Sequence, residues 1–250
     1  MKIIISPAKK MTDDSDSLPV QGMPRFLEEA GALKRALQAM SYEGLKKLWN
    51  CNDAIARLNY QRLQTMDLER GLTPALLSYE GIQYRYMAPG VFSDGEFSYV
   101  QEHLRILSGF YGVLRPMDGV RPYRLEMQAK LAMPGCRDLY DYWSDRIAKA
   151  VAGDWVLNLA SREYSLCVSR HLPAGNRMLT CVFGERQGGR ILEKGTLCKM
   201  ARGEMVRFLA RHRIQDPEQI KAFQGLGYRF APEESGREHY VFLKQEETIC

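Results

Sequence analysis

The sequence predicts a single domain of the α+β (mixed α/β) class, and three observations carry that expectation. Lys2–Ser6 holds Ile3, Ile4 and Ile5 in a row, apolar on both faces, which marks a strand in the middle of a sheet. Helical and extended patterns interleave along the chain without the regular β-α beat of a doubly wound fold. The 250 residues are 45% hydrophobic, enough for a substantial core, and no repeat, linker or low-complexity segment divides residues 1–250.

Taken in order, Pro7 ends the first strand and leaves Lys9 and Lys10 at its carboxyl end. A polar loop follows over roughly 12–24. Phe26, Leu33 and Leu37 set a helical pattern over 25–40, Ser41 caps a short helix to Leu48, and Asn52 or Asp53 opens another to Leu63. Residues 75–79 and 83–87 read as extended. Ser93 or Asp94 caps a helix reaching about Leu107, and 138–151 is helical through Leu139, Tyr142, Ile147 and Val151. Trp155–Ala160 is a strand. Residues 177–184 and 190–193 form a hairpin over Gly184-Glu185-Arg186-Gln187-Gly188-Gly189. A helix over 199–212, a second opened by Asp216-Pro217-Glu218, and a short strand at 240–243 complete the chain.

Composition excludes several function classes. No apolar run approaches the length of a membrane span, and the first isoleucines are too few for a signal peptide, so a cytosolic protein is expected. Cysteines 51, 136, 167, 181, 198 and 250 show no C-x-x-C spacing, and histidines 103, 171, 212 and 239 show no metal-binding pair. Reduced thiols, no metal site and no cofactor are the expectation. The formal charge of +5 admits a polyanionic partner. The 23 arginines outnumber the 12 lysines, a bias that suits phosphate recognition and that a GC-rich genome would equally produce.

Two segments fit the spacing of a helix-hairpin-helix, h-x-x-h-x-G-h-G-x-x-x-A-x-x-h. In 45–58, Leu45 and Leu48 pack the first helix, Cys51 plugs the turn and Ala56 permits close approach, within an element of about 41–63. Asn50 and Asn52 replace the two glycines, and asparagine tolerates positive φ better than most residues. Turn amides at the start of the second helix would face a DNA phosphate, with Lys46, Lys47, Arg57 and Arg62 adding sequence-blind charge. The structural alternative is an αα-corner with solvated lysines. The second segment, 220–231, keeps both glycines, but Tyr228-Arg229-Phe230 favours a strand and Pro232 forbids a second helix, so it is expected to leave a helix for a strand or loop.

Residues 108–127 set glycines between aromatics, place two Arg-Pro pairs at Arg115 and Arg121, and close on Tyr123-Arg124-Leu125-Glu126. Such a segment is either a structural corner or the wall of a cleft. Arg202 falls at the edge of the apolar face of its helix and needs a partner, whether Glu126, Glu163 or a bound phosphate. Asn158, Ser161, Glu163 and Tyr164 follow the Trp155 strand, where strand ends commonly hold site residues. With Lys9 and Lys10 they would line one cleft; Ser161 alone would suit a helix N-cap. No G-x-S-x-G or phosphate-binding loop marks a nucleophile.

The segments Ile5-Ser-Pro-Ala-Lys9-Lys-Met11, 107–116, 122–127, Asn158-Leu-Ala-Ser161 with Glu163-Tyr164, Ala201-Arg-Gly203 with Met205, Arg207 and Phe208, and Gly227-Tyr228 with Phe230 are ordered and specific. Through them the chain closely resembles the YaaA family of peroxide-stress response proteins over essentially its whole length. The resemblance implies a cytosolic protein that limits oxidative DNA damage and is tied to lower free intracellular iron. It also implies a DNA-binding fold of unusual single-domain topology, with a helix-hairpin-helix at 45–58 beside a basic cleft. It supplies no catalytic residues and no protein partner.

Two function classes follow. One is a binder of duplex or structured DNA without sequence preference. The other is an enzyme acting on nucleic acid or a nucleotide, for instance removing an oxidised base, with a pocket around Lys9, Arg124, Glu126 and Arg202. Direct iron sequestration has the least support, because the histidines and cysteines offer no ligand spacing.

Overall fold

The computed structural model describes residues 1–13 and 18–245; Cys250 and part of the loop expected at 12–24 lie outside them. Lys2–Ile5 occupies the centre of the main sheet, as its composition predicts. It pairs in parallel with Leu104–Ser108 on one side and Trp155–Leu159 on the other, and Ile3, Ile4 and Ile5 are fully buried. The strand order is Tyr228–Phe230, His239–Lys244, Arg177–Gln187, Trp155–Leu159, Lys2–Ile5, Leu104–Ser108, Gly112–Leu114. The five inner strands run parallel, and the two outermost pairings are antiparallel. The main hydrophobic core runs through this mixed sheet and the helices packed on it, and a small second cluster gathers Ala231, Val241 and Leu243.

The structure departs from the sequence reading where tertiary contacts outweigh local preference. Residues 75–79 and 83–87, expected extended, form short helices at Ala75–Ser78 and Ile82–Met87. The second packs on the long helix Gly195–His212 at Gly203, where an added Cβ would stand 2.2 Å from the Gln83 carbonyl oxygen. That close approach repays a conformation that Tyr84 and Tyr86 would not choose alone. The helix expected to reach Leu107 stops at His103, because Leu104–Ser108 gains a ladder beside the central strand. The segment 138–151 breaks at Ser144, which has φ of +46°.

The expected hairpin closes more tightly, on Gly188-Gly189 alone, both at positive φ as a two-residue turn requires. The helix expected after Asp216 is a 3-10 helix over Pro217–Ala222. The second glycine-bearing segment makes a 3-10 turn at Gly225–Gly227 and enters the strand Tyr228–Phe230, so it is no helical pair. Among the described residues no helix is long and apolar enough to cross a membrane.

Residues 42–64 fold as two helices, Tyr42–Trp49 and Asp53–Gln64, joined by Asn50-Cys51-Asn52. Asn50 takes the left-handed conformation (φ +43°), and the Asn52 carboxamide caps the Ile55 amide. Leu45 and Ala56 are fully buried where the helices meet. The buried stripe of the second helix is Ala56, Asn59 and Leu63, not Leu58, which is 47% exposed. Asn59 satisfies its side chain on the Ile55 carbonyl.

Candidate functional site

The carboxyl ends of two adjacent parallel strands build the floor of a cleft. Lys2–Ile5 releases Ser6-Pro7-Ala8-Lys9, and Trp155–Leu159 releases Ala160-Ser161 into the helix Arg162–Ser169. The Ser161 amide donates to Ser6 Oγ (2.8 Å), and Ser6 Oγ donates to Ser161 Oγ (3.2 Å), which locks the two strand ends together. Residues 121–127 cross above them. They return there because Gly109 lies against this segment: a Cβ at 109 would sit 2.6 Å from the Leu125 carbonyl oxygen. Tyr123 is anchored by its hydroxyl to Ser108 (2.7 Å) and Tyr79 (2.9 Å). A cavity of about 400 Å³ opens between these elements and the Gly195–His212 helix.

Of the predicted cleft residues, Lys9, Lys10, Arg124, Glu126, Ser161, Tyr164 and Arg202 line this cavity together. Glu126 is its electrostatic hub, paired with Lys9 at 2.7 Å and with Arg124 at 3.2 Å. Arg124 is almost wholly buried and also donates to the Trp49 carbonyl (3.5 Å), tying the cleft wall to the end of the first hairpin helix. Lys10 pairs instead with Glu80. Arg202, expected to meet Glu126 or Glu163, has Glu193 as its nearest carboxylate at 3.8 Å.

Three predicted residues lie elsewhere. Arg115 sits with Lys2 and Arg105 in a separate hollow. Arg121 bonds the Gly71 carbonyl and pairs with Asp13 at 3.3 Å. Asn158 is buried and structural: it donates to Thr180 Oγ1 (3.2 Å) on the next strand and accepts from the Ala160 amide (2.9 Å).

Sequence reasoning named Glu163 as a possible partner of Arg202 but passed over Gln83, Tyr84 and Lys199. Glu163 faces the cavity, and burial raises its pKa from the ordinary glutamate value, reinforced by the neighbouring Glu126 charge. Its place two residues after the strand-end Ser161 was the available clue. Gln83 and Tyr84 enter through the helix that had been expected to be a strand, and no local pattern announces them. Lys199 adds a further exposed cation at the rim.

A second hollow of about 680 Å³ adjoins the first through Glu126, which lines both. It is walled by the hairpin residues Lys47, Leu48, Trp49 and Asn50, with Gln128 and Lys130 opposite. Cys51 lies behind it, partly buried against the core. The other hairpin cations are arranged differently. The Asp53 carboxylate accepts from Lys46 (3.0 Å), Arg57 (2.6 Å) and the Tyr42 hydroxyl (2.7 Å). The Tyr42, Arg57 and Lys46 hydrogen bonds hold its pKa far below the usual carboxylate range. Arg62 lies one helix end away, in the last turn of Asp53–Gln64. Among the described residues no cluster of three His, Cys, Asp or Glu side chains is placed to hold a metal ion.

Comparison with known proteins places this architecture in a family. The family model described as "Peroxide stress protein YaaA" matches residues 1–234. A UPF0246 protein of Desulfitobacterium hafniense is 56% identical over 246 residues, covering 98% of each chain. UPF0246 proteins of Lachnoclostridium phytofermentans and Agathobacter rectalis are each 49% identical, the first covering 100% of this chain and 98% of its own, the second 98% and 99%. The chain therefore belongs to the YaaA family of peroxide stress proteins.

Proposed function

We propose that this protein binds duplex or structured DNA without sequence preference, in the cytosol, as part of a peroxide stress response that limits oxidative DNA damage and accompanies lower free iron. The observation that carries the reading is the convergence of cations on one continuous surface. Lys9, Lys10, Lys199 and the two arginines of the cavity join Lys47 and Lys130 of the neighbouring hollow through the shared Glu126 wall. Exposed lysines along a groove are the footprint of phosphate contacts. The turn at Asn50-Cys51-Asn52, with its left-handed Asn50 and capped second helix, suits a helix-hairpin-helix that anchors the backbone.

The test is fluorescence anisotropy with labelled duplexes of unrelated sequence across a salt series. The double variant K47E/K130E should weaken binding to every sequence alike and flatten the salt slope, since both residues are exposed. Wild-type affinity that ignores salt sinks the reading.

A second reading, an enzyme acting on nucleic acid, is favoured by one observation: Glu126 and Glu163 line the same cavity, and Glu163 has a raised pKa suited to a general acid. Incubation with oxidised, deaminated and abasic duplexes tests it, with any strand or base product as the positive result.

A further inference from the structure

Among the described residues, four buried side-chain nitrogens have no hydrogen-bond partner: Trp49 Nε1, Gln83 Nε2, Arg124 Nε and Arg202 Nε. Their placement is not scattered. Gln83, Arg124 and Arg202 all line the 400 Å³ cavity, and Trp49 lines the hollow beside it. Leaving a buried donor unpaired is costly, so a concentration of such donors in one cavity points to a ligand rich in acceptors. Arg124 and Gln83 are about nine-tenths buried.

A bare anion would meet only half of this site. Glu126 and Glu163 line the same cavity and add carboxylate acceptors to it, Glu126 already paired with Lys9 and Arg124. Tyr84, Tyr123 and Tyr164 join Pro7, Ala8, Ile82 and Leu125 in the less polar part of the lining. The Tyr84 hydroxyl donates to the Ser6 carbonyl (3.0 Å), and the Tyr123 hydroxyl bonds Ser108 and Tyr79. With their hydroxyls engaged inside the protein, these side chains offer ring surface and not polar groups. The Arg162–Ser169 helix opens on the cavity, and its N-terminal dipole favours negative charge there. Cations, carboxylates and aromatic rings in one cavity fit a ligand with an anionic end, a flat ring and ring-edge N–H donors. The volume lies within the range of small-molecule sites, roughly 300–1,000 Å³.

We propose that the cavity is a binding site for one nucleoside monophosphate unit, its phosphate held by Arg124 and Arg202, its base set against Tyr84 and Tyr123, and its N–H edge read by Glu126 or Glu163. The unit has two possible sources, a free nucleotide or a residue turned out of a DNA strand lying in the cleft. The second source rests on the DNA-binding reading; the first does not.

The test uses the full chain. Calorimetry with the nucleoside monophosphates, the matching nucleosides and inorganic phosphate should find at least one nucleotide that binds saturably and at least about tenfold tighter than either fragment, the loss expected when a charge-assisted contact is removed. Arg202→Met and Gln83→Met should each weaken that binding on the order of tenfold or more. Gln83→Met should not lower the thermal midpoint of the free protein, because it removes an unpaired buried donor. No saturation at millimolar nucleotide, phosphate binding as tight as any nucleotide, or unchanged affinity in both variants would overturn the proposal.

A duplex carrying 2-aminopurine separates the sources. A fluorescence rise with wild type that is lost in Arg202→Met identifies the extruded residue, and tight free nucleotide without that rise identifies the free ligand. DNA binding without nucleotide binding overturns this inference alone. Nucleotide binding without DNA binding overturns the DNA reading alone.

Discussion

On the proposed DNA-binding role, replacing Asp53 with asparagine should strengthen binding to a duplex at low salt, against the usual expectation for a residue at a helix start. Asp53 is the first residue of the second hairpin helix, and its carboxylate holds Lys46 and Arg57 at 3.0 and 2.6 Å. Both cations are thereby paired with a surface carboxylate, whose negative charge would oppose an approaching phosphate. Asp53→Asn keeps the shape, removes that charge and releases two cations. Each added phosphate contact steepens the dependence of log K on log salt by about 0.9 for duplex DNA, so two contacts add up to about 1.8. Over the fourfold change from about 50 to 200 mM salt, that slope corresponds to roughly a tenfold larger loss of affinity than wild type shows. Anisotropy titrations of one labelled duplex at several salt concentrations measure it. The sign is the decisive part. An unchanged slope with unchanged affinity means the hairpin cations never meet phosphate. Weaker binding at low salt means that Asp53 orders Lys46 and Arg57 for DNA, the opposite of the expected sign.

Three further outcomes follow from the same geometry. Burial raises the Glu163 pKa, so wild type carries stability from this group below the ordinary carboxylate pKa and loses it as pH rises through the folded value; Glu163→Gln should abolish that loss, which thermal melts from pH 4 to 8 would reveal as a midpoint difference growing with pH. Burial pushes the Cys167 and Cys181 thiols up to about 12, so neither should react with iodoacetamide or peroxide in the native state, and mass spectrometry finding either one rapidly modified would contradict the packing. Gly203→Ala should destabilise the protein by about 1–3 kcal/mol or more, the usual cost of overpacking, because its Cβ would collide with the Gln83 carbonyl and the Met87 amide; denaturant melts showing no loss would mean that the two helices separate easily.

The elements that were legible in the sequence carry their reason locally. Lys2–Ile5 is buried on both faces because three isoleucines leave it no polar side, and Ser41 and Asn52 both cap the helices they precede. The left-handed Asn50 likewise follows from a residue type that accepts positive φ. Misreadings fall where neighbours distant in sequence decide. Ile82–Met87 is a helix only because the Gly203 surface receives it, and Leu104–Ser108 leaves the helical pattern only because the central strand offers a ladder.

The candidate site divides in the same way. Lys9, Arg124, Glu126 and Arg202 could be named from residue type and irregular surroundings, and all four line one cavity. Arg115 and Arg121 looked equivalent to Arg124 in the sequence, yet the chain turns them to other partners, since each Arg-Pro step redirects the backbone before the next arginine. By itself the sequence determined which residues are charged, which caps and turns they favour, and that a strand-end cleft was available. Only the tertiary structure decided which charges share a wall, which are neutralised by Asp53, and which buried donors are left without partners. Those outcomes depend on distances across the chain, and pairing and desolvation are properties of neighbours in space.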